Sequence, residues 1–384
     1  MENFQYCNPV RIVFGKGQIA ALPELIPAGS KILMTYGGGS IFKNGVYDQV
    51  KTALQNYEIV EFGGIEPNPQ YSTLMKAVDI VKKEGITFLL AVGGGSTLDG
   101  TKFIAAASKF QGEDPWDILE KGTPVEDALP LASVITLPAT GSEMNAFSVV
   151  SRKEKDEKLA FYSTKVFPQF AIIDPQTTFS LPPRQTANGI VDTFVHVMEQ
   201  YITHPVDAAL QDRQCEAIIL TLIDESPKIM ANPNDYNARA NLFWAATQAL
   251  NGWLNVGTAQ CWATHGIGHE ITAQTGTDHA RTLALVLPAL WKHQRKEKGD
   301  KLVQFGKRVW GINGDDKEKI IDETIDATKK FFESVGIKAS CAEYGVTDDV
   351  CRAVAKMIGD RNAKLGDLGN IGEKEVYEIL QLCD

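Results

Sequence analysis

Residues 86–96, ITFLLAVGGGS, carry an apolar run directly into three glycines and a serine, and residues 31–40, KILMTYGGGS, repeat the arrangement. Each run is short, is bounded by turn residues and precedes a helical pattern, so each reads as a strand entering a helix through a glycine loop. Four further runs of the same kind surround them: VRIVF (10–14), YEIVEFG (57–63), ASVITLP (132–138) and FAIID (170–174). Strands alternating with helices predict a parallel sheet covered on both faces, an α/β, Rossmann-like arrangement.

Beyond SLPPRQ (180–185) the strand signals stop, and 3.6-residue patterns such as ANLFWAATQALNGWL (240–254) and TIDATKKFFESV (324–335) take over. The paired prolines Pro182 and Pro183 mark the change. The expected organisation is therefore an α/β dinucleotide-binding domain over residues 1–181 and an all-helical metal-binding domain over 182–384. A chain of 384 residues is long enough for each part to bury its own core. The charged stretch SRKEKDEK (151–158) reads as a solvated hairpin or loop.

The two glycine triplets, Gly37-Gly38-Gly39-Ser40 and Gly93-Gly94-Gly95-Ser96, are expected at the carboxyl ends of their strands. Glycine there allows close approach of a phosphate, and the following helix offers free N–H groups to an anion. Neither loop fits GxGxxG, and glycine-rich strand-to-helix turns also occur without a ligand. The first strand tip has no carboxylate before Asp48 to accept ribose hydroxyls, while Ser40 and Lys43 stand ready to meet a phosphate. That favours NADP over NAD, although Lys43 is equally readable as a solvated surface lysine.

In the second half, Asp192 and His196 are spaced i, i+4 in ANGIVDTFVHVMEQY, and His265 and His269 share that spacing in HGIGHEITAQTGTDH. Each pair projects from one helix face. His279 follows ten residues after His269, behind Gly276, which can turn the chain back. Asp192, His196, His265 and His279 then supply one carboxylate oxygen and three imidazole nitrogens, a set suited to zinc or ferrous iron. Taken singly, an Asp/His pair at this spacing is an ordinary helix-surface contact. His269 is left over, either as a proton shuttle or as a satisfied core histidine.

A formal net charge of −10 and a pI near 5.2 argue against nucleic acid and anionic membranes as partners. Six cysteines without CxxC spacing suit a reduced, cytoplasmic compartment. No window is long and apolar enough to suggest a signal or membrane segment.

The motifs together resemble the iron-containing (group III) alcohol dehydrogenase family. They include RIVFGKG (11–17), GGIEPNP (63–69), AVGGGSTLDGTKFIA (91–105), LPATGSEMNA (137–146), LPPRQTANGIVDTFVHVMEQY (181–201) and ATHGIGHEITAQTGTDHARTLALVLP (263–288). The chain is most similar to the branch of NADPH-dependent aldehyde reductases, also called butanol dehydrogenases. The resemblance implies Asp192, His196, His265 and His279 as metal ligands and His269 beside the substrate. It implies that Gly38, Ser40, Asn68, Gly94, Gly95, Ser96 and Asp99 contact the adenosine, pyrophosphate and ribose portions of NADP(H). Thr136, Thr140 and Asn145 would border the nicotinamide, and Lys158 would reach the cofactor. Strand-end hydroxyls and a loop lysine are the plainer readings of those last residues. Family members commonly carry Pro-His-Gly around the last ligand; this chain has Asp278-His279-Ala280.

The implied activity is hydride transfer between NADPH and a small aliphatic aldehyde or its alcohol, with one divalent ion, Fe2+ or Zn2+, in a homodimer. The competing expectations are a polyol dehydrogenase or dehydroquinate synthase-like enzyme on the same fold, a metal-dependent hydrolase, and a non-catalytic nucleotide sensor.

Overall fold

The computed structural model describes residues 1–155 and 157–383. Contacts divide the chain into two compact units. One holds Cys7–Leu181 with Pro233–Phe243; the other holds Met1–Tyr6, Pro182–Asn232 and the chain from Trp244 onward. Relative to a single cut after residue 181, two segments change sides, each held by contacts with residues distant in sequence. Phe243 packs on Ile135 and Ile173 in the first unit, and the Lys16 ammonium lies 4.2 Å from the Tyr236 ring centre. In the second unit the Met1 amino group donates to the Val206 carbonyl at 2.7 Å, and the Tyr6 ring meets Trp253 edge-on at 5.0 Å. These are tertiary contacts that no local pattern encodes.

The first unit contains the expected parallel sheet. Its strands are β1 (Arg11–Phe14), β2 (Lys31–Tyr36), β3 (Glu58–Phe62), β4 (Phe88–Gly93), β5 (Leu131–Ile135) and, after an antiparallel ribbon of β6 (Phe147–Arg152) and β7 (Glu157–Tyr162), β8 (Phe170–Ile173). The six-stranded order is β1-β8-β5-β4-β2-β3, parallel throughout. Alternate residues serve opposite faces, as a pleated strand demands. Leu33, Leu89, Ala91 and Leu131 enter one core with Leu74, Val78 and Phe103, whereas Ile32, Met34, Leu90, Val92 and Val134 enter the other with Ile41 and Val50.

From β2 the chain proceeds outward to β3, and from β4 it proceeds the opposite way to β5. The β2/β4 junction is therefore a topological switch point, where the loops leaving adjacent strands part and open a crevice. Both glycine triplets leave those two strands.

The second unit is helical. Its Pro183–Tyr201 helix is buried nearly all round: Phe194 packs edge-on against Phe305 and Phe332, and Tyr201 against Phe305. Among the described residues no helix is long and apolar enough to cross a membrane.

Candidate active site

At the sheet edge, Gly37, Gly38 and Gly39 follow β2 and lead into a short helix starting at Ser40. Gly38 and Ser40 are exposed, and nothing lies within 4 Å of where a Cβ at Gly38 would stand, so this loop faces open space. The Gly64 and Ile65 N–H groups donate to the Gly37 and Tyr36 carbonyls, bringing the 63–70 loop alongside. In that loop Asn68 adopts a left-handed backbone, φ 57°, a conformation non-glycine residues rarely hold. The second triplet opens the Gly95–Ala107 helix, whose N-terminus no side chain caps. Its first N–H groups are thus left for an anion, and Gly94, Gly95 and Ser96 form the rim. An open glycine turn beside an uncapped helix start fits the pyrophosphate of a dinucleotide.

The loop after β5 backs this rim. The Thr136 N–H donates to the Gly93 carbonyl at 2.9 Å, and the Thr140 side chain fills the space where a Gly95 Cβ would stand. Asn145 is buried, with Oδ1 accepting from Lys102 Nζ at 3.0 Å and from the Phe147 N–H at 3.0 Å. Asp99 turns toward the same loop: Oδ1 accepts from Ser142 Oγ at 2.6 Å and Oδ2 from the Val149 N–H at 3.1 Å. Burial pushes its carboxyl above the ordinary range despite the attraction of Lys102. The charged 151–158 stretch does form a hairpin, but Lys158 is not part of its solvated tip. It is buried on β7, and its charge acts on Asp99.

In the helical unit, Asp192 and His196 lie on the buried Pro183–Tyr201 helix, only 5% and 4% exposed, which removes the surface-contact reading. His265 and His269 lie on the Ala263–Thr275 helix. Gly276, φ 71°, ends that helix in the left-handed conformation glycine tolerates, and His279 begins the next helix. Asp192 Oδ1 stands 3.6 Å from His196 Nε2 and 3.9 Å from the Nε2 atoms of both His265 and His279. Ligand atoms of Asp192, His265 and His279 lie within 4.8 Å of one another. The His196 ring stacks on His265 at 4.8 Å. Such separations are long for hydrogen bonds, but near the roughly 3.4 Å between ligands sharing a tetrahedral ion at about 2.1 Å. The donor set fits a divalent ion. His269 is partly exposed, with its ring 4.8 Å from His279 and 6.2 Å from His265.

The sequence reading missed the group that orients His265. Buried Glu199 holds His265 Nδ1 at 2.7 Å, and its oxygens accept the Thr264 and His265 N–H groups at 2.8 and 3.0 Å. One carboxylate thus caps the start of the Ala263–Thr275 helix and selects a ring orientation. His265 Nε2 is buried, makes no hydrogen bond among the described residues, and faces Asp192. Burial lowers the His265 pKa, but Asp192 and Glu199 more than reverse this, to about 9. Burial also raises the Glu199 carboxyl, yet its bonds to His265 and the helix start hold it below the usual range. Glu199 was findable: Asp192, His196 and Glu199 are spaced i, i+4, i+7 on one helix face. Trp262, φ 53°, stands edge-on to His265 at 5.3 Å and carries no sequence signal of its own.

Asp278 is explained by its neighbours. Its Oδ2 accepts from Arg184 Nε at 2.7 Å and Asn188 Nδ2 at 2.8 Å, tying the residue before His279 to the Asp192 helix.

A switch-point crevice suited to a dinucleotide, together with a carboxylate–imidazole cluster suited to a divalent ion, defines the class of metal-assisted nicotinamide oxidoreductases. Residues 9–175 match the family of iron-containing alcohol dehydrogenases, and residues 186–383 match the C-terminal part of the Fe-containing alcohol dehydrogenase family. The chain belongs to the iron-containing alcohol dehydrogenase family. It is 52% identical over 384 residues to the NADPH-dependent aldehyde reductase YqhD of Escherichia coli K12, spanning 98% of this chain and 99% of the relative. A crystal structure of YqhD from E. coli K-12 matches with TM-score 0.97 and 51% identity, over 99% of this chain and 98% of that one. The structure of NADH-dependent butanol dehydrogenase A from Thermotoga maritima matches with TM-score 0.96 and 37% identity, over 100% and 99% of the two chains. The protein is an oxidoreductase of the alcohol dehydrogenase and aldehyde reductase class.

Proposed function

We propose that the protein reduces small aliphatic aldehydes such as butanal to primary alcohols with NADPH, reversibly, using one divalent ion, Fe2+ or Zn2+. The observation that carries this is the convergence of Asp192, His265 and His279, with His196 beside them, in a family whose members are dehydrogenases. When bound, the ion supplies Lewis-acid polarisation of the carbonyl and NADPH supplies the hydride.

The chain's own residues do the rest. Asp192, His196, His265 and His279 hold the ion, and Glu199 keeps His265 Nε2 turned toward it. His269, partly exposed beside His279, returns a proton to the substrate oxygen from solvent. Gly37–Gly39, Ser40, Asn68, Gly94, Gly95 and Ser96 receive the adenosine and pyrophosphate portions. Asp99 contributes to the ribose and pyrophosphate side, Thr136, Thr140 and Asn145 border the nicotinamide, and Lys158, whose charge acts on Asp99, reaches toward the cofactor. The exposed Ser40, with no acid at the β2 tip, supports NADPH over NADH. The reading includes a cytoplasmic homodimer, to be checked by light scattering.

The test is NADPH oxidation with butanal on protein stripped by chelator and resupplied with Fe2+, Zn2+ or nothing. Activity restored only by metal is the expected result. Turnover indifferent to metal removes the four-ligand site, and faster turnover of glycerol or another polyol than of butanol favours a polyol dehydrogenase.

A further inference from the structure

One fully buried charge is left unused by that mechanism. Lys102 lies on the Gly95–Ala107 helix with no exposed surface. Its ammonium reaches three acceptors on a separate segment: Ser142 Oγ at 2.8 Å, Asn145 Oδ1 at 3.0 Å and the Phe147 carbonyl at 2.8 Å. An ammonium has three N–H donors, so all are engaged within the protein and none remains for a ligand. The bonds continue from Ser142 Oγ to Asp99 Oδ1, and the other Asp99 oxygen takes the Val149 N–H. Thr140, at the start of the segment, sits against Gly95 at the helix mouth.

The arrangement is costly unless it does something that packing alone does not. Burial lowers the Lys102 pKa to about 8, even though Asp99 and Glu143 oppose the shift. A methionine of similar length would occupy the same core without desolvating a charge. What the ammonium adds is direction: three convergent bonds fix one register of residues 142–147 on the glycine-loop helix. They also turn Asn145 so that its oxygen faces inward.

We propose that Lys102 is a positioning residue for the pyridine nucleotide, presetting through Ser142 and Asn145 the segment that borders the nicotinamide. The inference rests on the NADPH-dependent reading above. It assigns Lys102 to cofactor binding rather than to the metal or the aldehyde, because the three acceptors of its ammonium belong to the segment beside the glycine loop.

The test compares wild type, Lys102→Met and Ser142→Ala as metal-loaded full-length enzymes. NADPH dissociation constants come from fluorescence titration; KM for NADPH and for butanal, kcat, metal content and melting temperature are measured in parallel. For Lys102→Met, the NADPH dissociation constant and KM are expected to rise about tenfold, in line with losing charged hydrogen bonds. Metal content and KM for butanal should stay at wild-type levels. Ser142→Ala keeps Lys102 and removes the two hydrogen bonds by which Ser142 Oγ joins Lys102 to Asp99, so a rise of about threefold is expected. It decides the matter if Lys102→Met fails to fold. NADPH binding unchanged in a folded Lys102→Met, or in Ser142→Ala where only that variant folds, overturns the proposal. So does a uniform fall in kcat with unchanged NADPH constants, since that reports general disturbance. If wild type itself neither binds NADPH nor reduces butanal, the functional reading fails and this inference falls with it.

Discussion

His265 and His269 lie one helical turn apart on the same helix and are assigned different chemistry. His265 is buried, with Nδ1 held by Glu199 and Nε2 facing Asp192; His269 is partly exposed and more distant. His265→Ala should therefore lose both metal and activity, whereas His269→Ala should retain the metal and lose about 100-fold in kcat. Metal analysis beside steady-state kinetics separates the two, and equal metal loss in both would undo the assignment. Glu199 permits a finer test. In Glu199→Gln the amide NH2 must face either the Thr264 N–H or both the His265 N–H and His265 Nδ1, so at least one bond is lost whichever way the amide turns. The metal dissociation constant, read by chelator competition, should rise about tenfold or more. An unchanged constant would reduce Glu199 to a helix cap.

At the level of the elements, the Gly95–Ala107 helix has a tight requirement at its first residue. A methyl at Gly95 would overlap the Thr140 side chain, and Thr140 belongs to the segment that Lys102 pins. Gly95→Ala is expected to destabilise the protein by about 1–3 kcal/mol in urea unfolding, and to weaken NADPH binding as the loop is displaced. Wild-type stability would show that the loop gives way freely. Gly95 thus answers first to its own neighbour and only then to a phosphate, a distinction the triplet GGGS cannot express. The strands, by contrast, were readable because each apolar run is short and punctuated. The 151–158 hairpin was readable from its charges, but not the burial of Lys158, which depends on what the ribbon packs against.

Across the helical unit, a buried ion pair joins distant parts of the chain. Lys298 Nζ and Asp367 Oδ1 are 2.7 Å apart, both side chains 3% exposed, and Asp367 Oδ2 also accepts the His204 N–H at 2.6 Å. Burial raises the Asp367 carboxyl, but Lys298 and His204 outweigh it, so the folded pKa lies below the ordinary value near 4. A depressed carboxylate contributes stability that is complete above the unfolded pKa and disappears as pH falls through the folded one. Asp367→Asn should cost roughly 3 kcal/mol at pH 7, and the gap to wild type should narrow below about pH 4. Melting curves from pH 7 to pH 3 measure this; a gap that stays constant would mean the carboxylate charge is not its source.

The sequence by itself determined the class of fold, the glycine-bearing strand ends, the change to helices after Pro182 and the metal-type side chains. All of these are written in local periodicity or in residue type. Tertiary structure alone decided that β2 and β4 are neighbours at a switch point, because strand order depends on which edges pair rather than on any one strand. It also decided that Asp192, His265 and His279 converge, and that Glu199 and Lys102 are buried with their hydrogen bonds formed. Burial of a charge is a property of everything folded around it, and no window of sequence contains those neighbours.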